Sequence, residues 1–305
     1  PGTVRNFKTC WTAYLRFAIT HRLQLFPPCV DTLVRFYTSL TDSLRAFRSL
    51  QNYQSAIVLF YKLYGMEVDM SLVQYKLLNM AARKSLSTVP ATKTPLEPEH
   101  IIRFIELADP NNPFEFCFVT AVTVGFFALL RRSNICPPSP KSFDPAKHLC
   151  RSDVLIDQDG LVVSLRWTKT NQAGSTVFHI PTARSQNDRL DPPSLFETFT
   201  QRYPALPSDP CFSFYMHQRH YVMTHSDLAG LLTHFLGRAG VSTEGITTHS
   251  IRKGGASVLH RAGTSIPALK QHGTWLSDSY KNYVHFNTKD KLAVTKNVYK
   301  FLNLT

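Results

Sequence analysis

The stretch that decides the fold reads His249-Ser-Ile-Arg-Lys-Gly-Gly-Ala-Ser257, and it is followed by Gly273-Thr-Trp275 and by Tyr283. On a helix, residues three apart share a face, so His249 and Arg252 present two phosphate-directed donors one turn apart. Each of the paired glycines costs a helix about 1 kcal/mol relative to alanine. Their presence therefore indicates that another group approaches the helix backbone closely.

These residue types fit metal-free cleavage of a phosphodiester. Such cleavage needs an in-line nucleophile, cationic donors for the two non-bridging oxygens, and a proton for the departing oxygen. No set of Asp and Glu residues suited to two metal ions is evident, which favours Arg and His donors. Tyr283 is the candidate nucleophile, and its ordinary pKa near 10 calls for activation by neighbouring positive charge. Tyr280 and Tyr299 are rival candidates.

Three further side chains extend this constellation. Arg131 and its neighbour Arg132 end the apolar run that begins at Gly125; taken alone, they are ordinary cations at a helix C-terminus. Lys169 lies in a predicted hairpin turn, where most lysines are solvated. Trp275 has an indole N–H that donates one hydrogen bond, although a buried aromatic anchor fits its position equally well. His272 competes with it for the donor role.

Together these stretches resemble the C-terminal signature of the tyrosine recombinases. The likeness is closest to the enzymes of eukaryotic mobile elements, namely DIRS-like and Ngaro-like retrotransposons and cryptons. Those enzymes read His-Ser-hydrophobic-Arg-basic-Gly-Gly-Ala, then Gly-x-Trp, with the tyrosine eight positions after the tryptophan, as Tyr283 is here. The resemblance also selects Arg131 over Arg132 as the catalytic arginine. Asn134 stands where many bacterial members carry an acidic residue.

The resemblance implies a catalytic role for six residues: Arg131, Lys169, His249, Arg252, Trp275 and Tyr283. Tyr283 would attack the scissile phosphate of duplex DNA, which forms a 3′-phosphotyrosyl link and frees a 5′-hydroxyl. Arg131, Arg252 and Trp275 would hold the phosphoryl oxygens. His249 would assist proton transfer from the tyrosine, and Lys169 would protonate the leaving oxygen. Neither a cofactor nor a metal is required by this scheme.

Length and charge agree with a protein that grips DNA. The chain has 305 residues, which suits two domains, and 43% of them are hydrophobic, enough to form buried cores. Its net charge of +13 favours an anionic polymer as partner. Residues 1–90 hold 11 Lys and Arg against 4 Asp and Glu, so the excess is shared between both parts of the chain.

The pattern along the chain predicts a mainly α protein with a small β-sheet. Residues 1–84 read as four or five helices, with Asp31 as an N-cap and Gly65 closing a helix, and they resemble the core-binding domain of the recombinases. A linker is predicted over 85–94, and Thr94 is predicted to cap the first helix of an α+β catalytic domain over 95–305. β-rich segments at 161–167 and 175–180 predict a hairpin. In the family the two domains form a C-shaped DNA clamp.

Helices are predicted near 114–131, 192–202, 225–239, 249–262 and 265–270, with a C-terminal helix at about 288–303. That last helix is amphipathic; in the family such a helix often docks on a neighbouring protomer. The resemblance implies a tetramer on two DNA duplexes, with this helix exchanged between protomers. Docking on its own domain is the alternative.

Two other functions remain open at this point. A type IB topoisomerase-like enzyme shares the chemistry and acts as a monomer. A domesticated DNA-binding protein keeps the fold without catalysis, although such a protein is expected to have lost the tyrosine or an arginine.

Cysteine and histidine usage gives little sign of a metal. Cys211, His217, His220 and His225 show no ligand pair with a recognised zinc spacing, and an exposed hairpin or loop is the better interpretation. The six cysteines include no Cys-x-x-Cys pair, which favours a reduced intracellular compartment, the nucleus for an element of this kind. No stretch approaches the 18 apolar residues of a membrane span. The chain begins with Pro rather than Met, which indicates an excised fragment.

Overall fold

A computed structural model describes residues 2–88, 93–168, 171, 176–186 and 188–284. The chain forms two compact units, Pro1–Ala91 and Thr92–Thr305. Helices predominate in the described residues, and the strands form two small antiparallel sheets. The predicted fold class, mainly α with a small sheet, is confirmed.

The first unit contains four helices packed around an aromatic core. They are α1 (Gly2–Thr20), α2 (Val30–Thr41), α3 (Phe47–Leu63) and α4 (Val73–Ser85). Tyr14 and Tyr61 are fully buried, and their hydroxyls lie 3.0 Å apart. The Tyr61 hydroxyl donates to the carbonyl oxygen of Leu25 at 2.6 Å. Because a buried hydroxyl without a partner is destabilising, these hydrogen bonds offset the cost of burying the Tyr14 and Tyr61 hydroxyls.

Helix ends in this unit agree only partly with the sequence. Gly65 has a φ of +73° just after the C-cap Tyr64, so the prediction that it closes α3 is confirmed. The prediction that Asp31 caps α2 is wrong, because Cys29 is the N-cap. Asp31 lies in the first turn instead and forms an exposed ion pair with Arg35 at 2.9 Å.

The second unit is built on seven helices in its described part. They are α5 (Pro98–Leu107), α6 (Pro113–Phe127), α7 (Arg132–Ile135), α8 (Pro192–Arg202), α9 (His225–Arg238), α10 (Thr248–Arg261) and α11 (Ile266–His272). Helix α6 is buried on every face from Phe116 to Phe126. Asn112 caps it by accepting from the backbone N–H groups of Phe114 and Glu115. An apolar helix of this kind forms the centre of the core, against which the other elements pack.

The strands of the second unit form the predicted hairpin and a second one. β1 (Val154–Ile156), β2 (Gly160–Leu165) and β3 (Phe178–Ala183) form an antiparallel sheet in that order. Val163 pairs with Ile180, so the predicted hairpin is confirmed, whereas β1 was not predicted. β4 (Ser213–Met216) and β5 (Arg219–Val222) form a separate hairpin whose turn residues, His217 and Gln218, both have positive φ.

The segment before α5 differs from its prediction. Thr94 does not cap the helix; Glu97 is the N-cap, with Pro98 in the first turn. The backbone N–H of Thr94 donates to the carbonyl oxygen of Gly245 at 3.0 Å, and that of Leu96 donates to Ser250 at 3.1 Å. These bonds hold the segment along the start of α10, which explains why the helix begins three residues later than predicted.

The sequence also raised expectations for membrane spans, cysteines and the C-terminal helix. In the described residues, no helix combines the length and apolarity that crossing a membrane requires. All six cysteines are free thiols, five of them buried. The predicted C-terminal helix at about 288–303 lies outside the described residues.

Candidate active site

The centre of the candidate site is the N-terminal turn of α10. The Thr247 hydroxyl caps this helix by accepting from the backbone N–H of His249. His249 is half-buried, and Arg252, one turn later, is only 2% exposed. The turn therefore brings the two predicted donors onto one face of a buried helix.

The Arg252 guanidinium joins two turns of the backbone. Its Nη1 donates to the carbonyl oxygen of Leu129, and its Nη2 donates to that of Gly273 at 2.5 Å. Leu129 has a φ of +50° and precedes Arg131, whereas Gly273 precedes Trp275. Arg252 thus fixes the two turns that deliver the other candidate donors. Its Nε is buried and has no hydrogen-bond partner in the described part of the protein.

The paired glycines of α10 allow close backbone contact on two sides. A Cβ on Gly254 would overlap the carbonyl group of Leu96, and one on Gly255 would overlap that of Phe126 in α6. The predicted close approach is therefore confirmed. The partners are protein backbone, which lets α10 pack tightly between α6 and the segment before α5.

The Gly-x-Trp pattern has an equally direct cause. A Cβ on Gly273 would overlap the Trp275 ring, so only glycine lets the indole fold back over this turn. Trp275 is 4% exposed, and its Nε1 has no hydrogen-bond partner among the described residues. The rival His272 bonds through Nε2 to the carbonyl oxygen of Phe127 at 2.8 Å. His272 therefore supports the fold, and the free donor is the indole.

Tyr283 packs against the three other motif residues. Its ring centroid lies 4.8 Å from that of His249 and 5.0 Å from that of Trp275, and the Arg252 guanidinium carbon is 5.1 Å away. The rival Tyr280 instead faces Lys270, whose Nζ lies 5.9 Å from its ring. Tyr299 lies outside the described residues. Of the two candidate nucleophiles in the described residues, Tyr283 is the one that adjoins the cations of α10.

Arg131 reaches the site by a route that the sequence did not predict. Helix α6 ends at Phe127, and Arg131 is the N-cap of the short helix α7 rather than the last turn of an apolar helix. The predicted helix to 131 is thus wrong in its last four residues, because the left-handed Leu129 turns the chain. Arg131 Nη1 is buried and has no hydrogen-bond partner in the described region.

Asn134 holds this turn against the three-stranded sheet. Its Oδ1 accepts from the backbone N–H of Arg131 at 3.2 Å, and its Nδ2 donates to the carbonyl oxygen of Trp167 at 3.3 Å. The amide therefore holds the Arg131 turn against the residues that follow β2. Trp167 lies just after β2, two residues before Lys169, which itself lies outside the described residues.

A cationic cavity of about 420 Å³ opens beside this turn. It is lined by Lys93, Arg131, Arg132, Ser133, His225, Thr247, Thr248 and His249. None of these lining residues carries a carboxylate. No motif pointed to Lys93, which lies at the end of the linker, and the sequence raised His225 only as a possible zinc ligand.

The pKa values of the α10 donors reflect this concentration of charge. Burial, followed by the charges of Lys93, Arg252, Arg131 and Lys253, lowers the pKa of His249 to about 4. Burial and the charge of Arg131 lower the pKa of Arg252, and Tyr283 partly offsets the effect. Arg131 lines the cavity with His249, and its charge acts on both groups. An anion bound here would relieve the mutual repulsion of these cations.

Metal ligands do not assemble in the described residues. No group of three or more His, Cys, Asp or Glu side chains there is arranged to hold a metal ion. His217 and His220 lie exposed on the β4–β5 hairpin, as predicted, whereas His225 begins α9 and is half-buried. The Tyr215 and His220 rings stack at 4.4 Å.

Comparison with solved structures identifies the architecture. The XerH site-specific recombinase bound to its difH substrate matches with a TM-score of 0.62 and 13% identity, covering 96% of this chain and 78% of that chain. A lambda integrase dimer bound to a COC′ core site matches with a TM-score of 0.60 and 14% identity, covering 95% and 72%. The Tn1549 transposon integrase in complex with circular intermediate DNA gives 0.53 and 16%, covering 88% and 85%.

No protein-family profile matches the sequence, and no curated protein matches it. At these identities the structural likeness establishes the fold. The chain has the mainly helical fold of the tyrosine recombinases, with their small antiparallel sheet.

Proposed function

We propose that this chain is a tyrosine recombinase: a site-specific integrase that cleaves and rejoins duplex DNA without a metal ion. The observation that carries the proposal is the packing of the Tyr283 ring against His249, Arg252 and Trp275. A phenol beside buried cations and an unpartnered indole N–H is suited to attack on a phosphodiester. Solved recombinase and integrase structures that share the fold were determined with DNA.

In the proposed reaction, the Tyr283 oxygen forms a bond to the scissile phosphorus while the bond to the 5′ oxygen breaks. His249 accepts the phenolic proton: its lowered pKa keeps the imidazole neutral near pH 7 in the free protein, and a bound phosphate raises that pKa towards the range of an effective general base. Arg131, Arg252 and Trp275 stabilise the phosphoryl oxygens, and Lys169 gives a proton to the departing 5′ oxygen. The products are a 3′-phosphotyrosyl link and a 5′-hydroxyl. Attack by the 5′-hydroxyl of a partner duplex reverses the step.

The biological setting is proposed from the motif. The run His249–Ala256 followed by Gly273-Thr-Trp275 resembles the enzymes of eukaryotic retrotransposons and cryptons, which supports a mobile-element integrase. Four protomers on two duplexes, joined through their C-terminal helices, would complete the reaction. Action in the nucleus, a reduced compartment, accords with six free cysteines.

Covalent trapping tests the proposal. The protein is incubated without magnesium on nicked duplexes that carry the terminal sequences of the encoding element, and denaturant-resistant adducts are measured. We expect an adduct with the wild type and with Tyr280→Phe, and none with Tyr283→Phe. Tyr280→Phe is a matched control because it removes a phenol that faces Lys270.

Other outcomes would change the conclusion. An adduct that survives Tyr283→Phe would assign the nucleophile to another tyrosine. DNA binding with no adduct on any end would favour a DNA-binding protein that has lost catalysis. Relaxation of a supercoiled plasmid by monomers would favour a type IB topoisomerase-like enzyme.

A further inference from the structure

We propose that Arg132 and His225 form a second phosphate subsite, which holds a DNA backbone phosphate next to the scissile one. This inference rests on the proposed function, because it takes duplex DNA as the ligand of the cavity. The six residues that the family motif supplies do not include either side chain. Both line the same cavity as Arg131 and His249.

The cavity is larger than one phosphoryl group requires. Its volume is about 420 Å³. Sites for whole small molecules occupy roughly 300–1,000 Å³. A single phosphoryl group between Arg131 and His249 would leave much of this volume unfilled. Duplex DNA can place a second backbone phosphate in the unfilled part of the cavity.

The charge of Arg132 is not paired within the described part of the chain. Its side chain is exposed and forms no ion pair or hydrogen bond there. Its neighbour Arg131 acts on the pKa values of His249 and Arg252, whereas Arg132 acts on that of His225. The two adjacent arginines therefore serve different groups. Both arginines line the cavity together with His225.

His225 has a ring nitrogen without a hydrogen-bond partner in the described residues. This nitrogen, Nε2, is buried. Burial and the charge of Arg132 lower the pKa of this imidazole, whereas a hydrogen bond to the backbone of Cys136 raises it. A phosphate between the two side chains would screen the Arg132 charge and favour the protonated ring, in which Nε2 donates to an anionic oxygen.

The fold fixes the positions of both residues. Arg132 is the first residue of α7, which follows the turn that Asn134 secures. His225 is the first residue of α9, and its backbone N–H donates to the carbonyl oxygen of Pro137 at 3.0 Å. Pro137 follows the C-terminal end of α7 by two residues, so this end of α7 is tied to the start of α9. Both residues are therefore attached to backbone whose position the fold fixes.

The salt dependence of DNA binding tests the subsite independently of cleavage. The full chain is titrated with a 30-base-pair duplex at several salt concentrations, and log K is plotted against log [salt]. Each lost phosphate contact lowers the magnitude of the slope by about one. We expect Arg132→Gln to lower the magnitude of the slope by about one and His225→Gln to weaken the affinity. Because Arg132 is exposed, its substitution is compatible with folding.

Arg103→Gln is the matched control. It removes the same charge from the same unit, but Arg103 already pairs with Glu106 at 3.3 Å and does not line the cavity. Its slope is expected to equal that of the wild type. A slope that is unchanged in Arg132→Gln, or lowered equally in both variants, would overturn the subsite.

A second measurement locates the phosphate. Neutral methylphosphonates are placed one at a time at the phosphates that flank the scissile one. At one flanking position, we expect the substitution to weaken binding by the wild type about tenfold and to add nothing to Arg132→Gln. Additive losses at every position would overturn the subsite. Absence of a Tyr283-dependent adduct, with the slope change intact, would instead overturn the proposed chemistry alone.

Discussion

Helices α6 and α10 pack against each other in the second unit, yet their buried residues differ in kind. Most buried residues of α6 are apolar, as Phe118, Val122 and Phe126 are, and its buried Thr120 and Thr123 donate to carbonyl oxygens of the same helix. The buried face of α10 includes an arginine, two glycines and three hydroxyl residues: Thr248, Ser250, Arg252, Gly254, Gly255 and Ser257. Apolar side chains favour burial. Glycines inside a helix and buried polar or charged side chains instead lower stability, so stability alone does not explain their presence in α10.

This difference separates the source of stability from the source of function. Apolar burial along α6 provides the free energy that holds the unit together. Helix α10 uses its small residues to approach two backbones, and that approach places Arg252 between the Leu129 and Gly273 carbonyls. Substitutions in α6 should therefore act on folding, and substitutions at the candidate site should act on DNA cleavage.

The largest expected effect is on folding, from Phe118→Ala in α6. Phe118 is fully buried, with its ring 4.9 Å from that of Phe235. Removing a buried phenylalanine ring costs about 3–5 kcal/mol. We expect the free energy of unfolding of the second unit, measured with urea, to fall by that amount. Phe114→Ala, at a 41% exposed site on the same helix, should cost less than half as much. Equal losses would contradict the role assigned to α6.

The next effect comes from Gly255→Ala in α10. Alanine favours a helix by about 1 kcal/mol over glycine, but here its Cβ would overlap the Phe126 carbonyl of α6. We expect the contact to dominate, with a net loss of about 1–3 kcal/mol.

Gly230→Ala is the matched control, because nothing lies within 4 Å of a Cβ at that position in α9. It should raise the free energy of unfolding by up to about 1 kcal/mol. A stabilised Gly255→Ala would show that α6 and α10 are not in close backbone contact.

Sequence reasoning succeeded where residue type is dictated by a local requirement. The pair Gly254-Gly255 predicted close approach, the β-rich segments predicted the hairpin, and the apolar run predicted α6. Helix spacing also predicted that His249 and Arg252 share a face. Each of these features follows from a few neighbouring residues.

It failed where distant parts of the chain compete for the same groups. Arg131 was predicted to end α6, but the left-handed turn at Leu129 is stabilised by Arg252, 123 positions later. Thr94 was predicted to cap α5, but its backbone bonds to Gly245. Lys93 and His225 reach the cavity through similar long-range packing, which periodicity cannot reveal.

A smaller effect is expected from the unpartnered indole of Trp275. Trp275→Phe removes a donor that has no partner in the described structure, so no hydrogen bond is lost on folding. A hydrogen bond to a charged group contributes about 1.5–3 kcal/mol, equivalent to roughly a ten- to hundredfold lower rate of adduct formation. Trp275→His supplies a ring N–H and should recover part of the rate. If the Phe and His variants were equally slow, the tryptophan would act by packing alone.

The smallest expected effect is the response of stability to pH at His249. The pKa of this imidazole is about 4 in the folded chain, whereas an unperturbed histidine titrates near 6.5. Between these values the unfolded chain binds a proton that the folded chain does not. Stability is therefore unaffected above about pH 6.5 and is lost as the pH falls from 6.5 towards 4. The charged groups that act on the ring are Lys93, Arg131, Arg252 and Lys253.

We expect His249→Gln to lose less stability than the wild type between pH 7 and pH 5. Since solvent screens a half-buried group, the difference should be only about 2–4 °C in Tm. His217→Gln, in the exposed β4–β5 turn, is the control and should follow the wild type. Bound duplex DNA should shrink the difference, because a phosphate beside the ring raises its pKa and restores the proton in the folded state. If DNA left this difference in Tm unchanged, the phosphate would not lie at the α10 cations. Helix α10 would then have no demonstrated role in DNA cleavage, and only the stabilising role of α6 would stand.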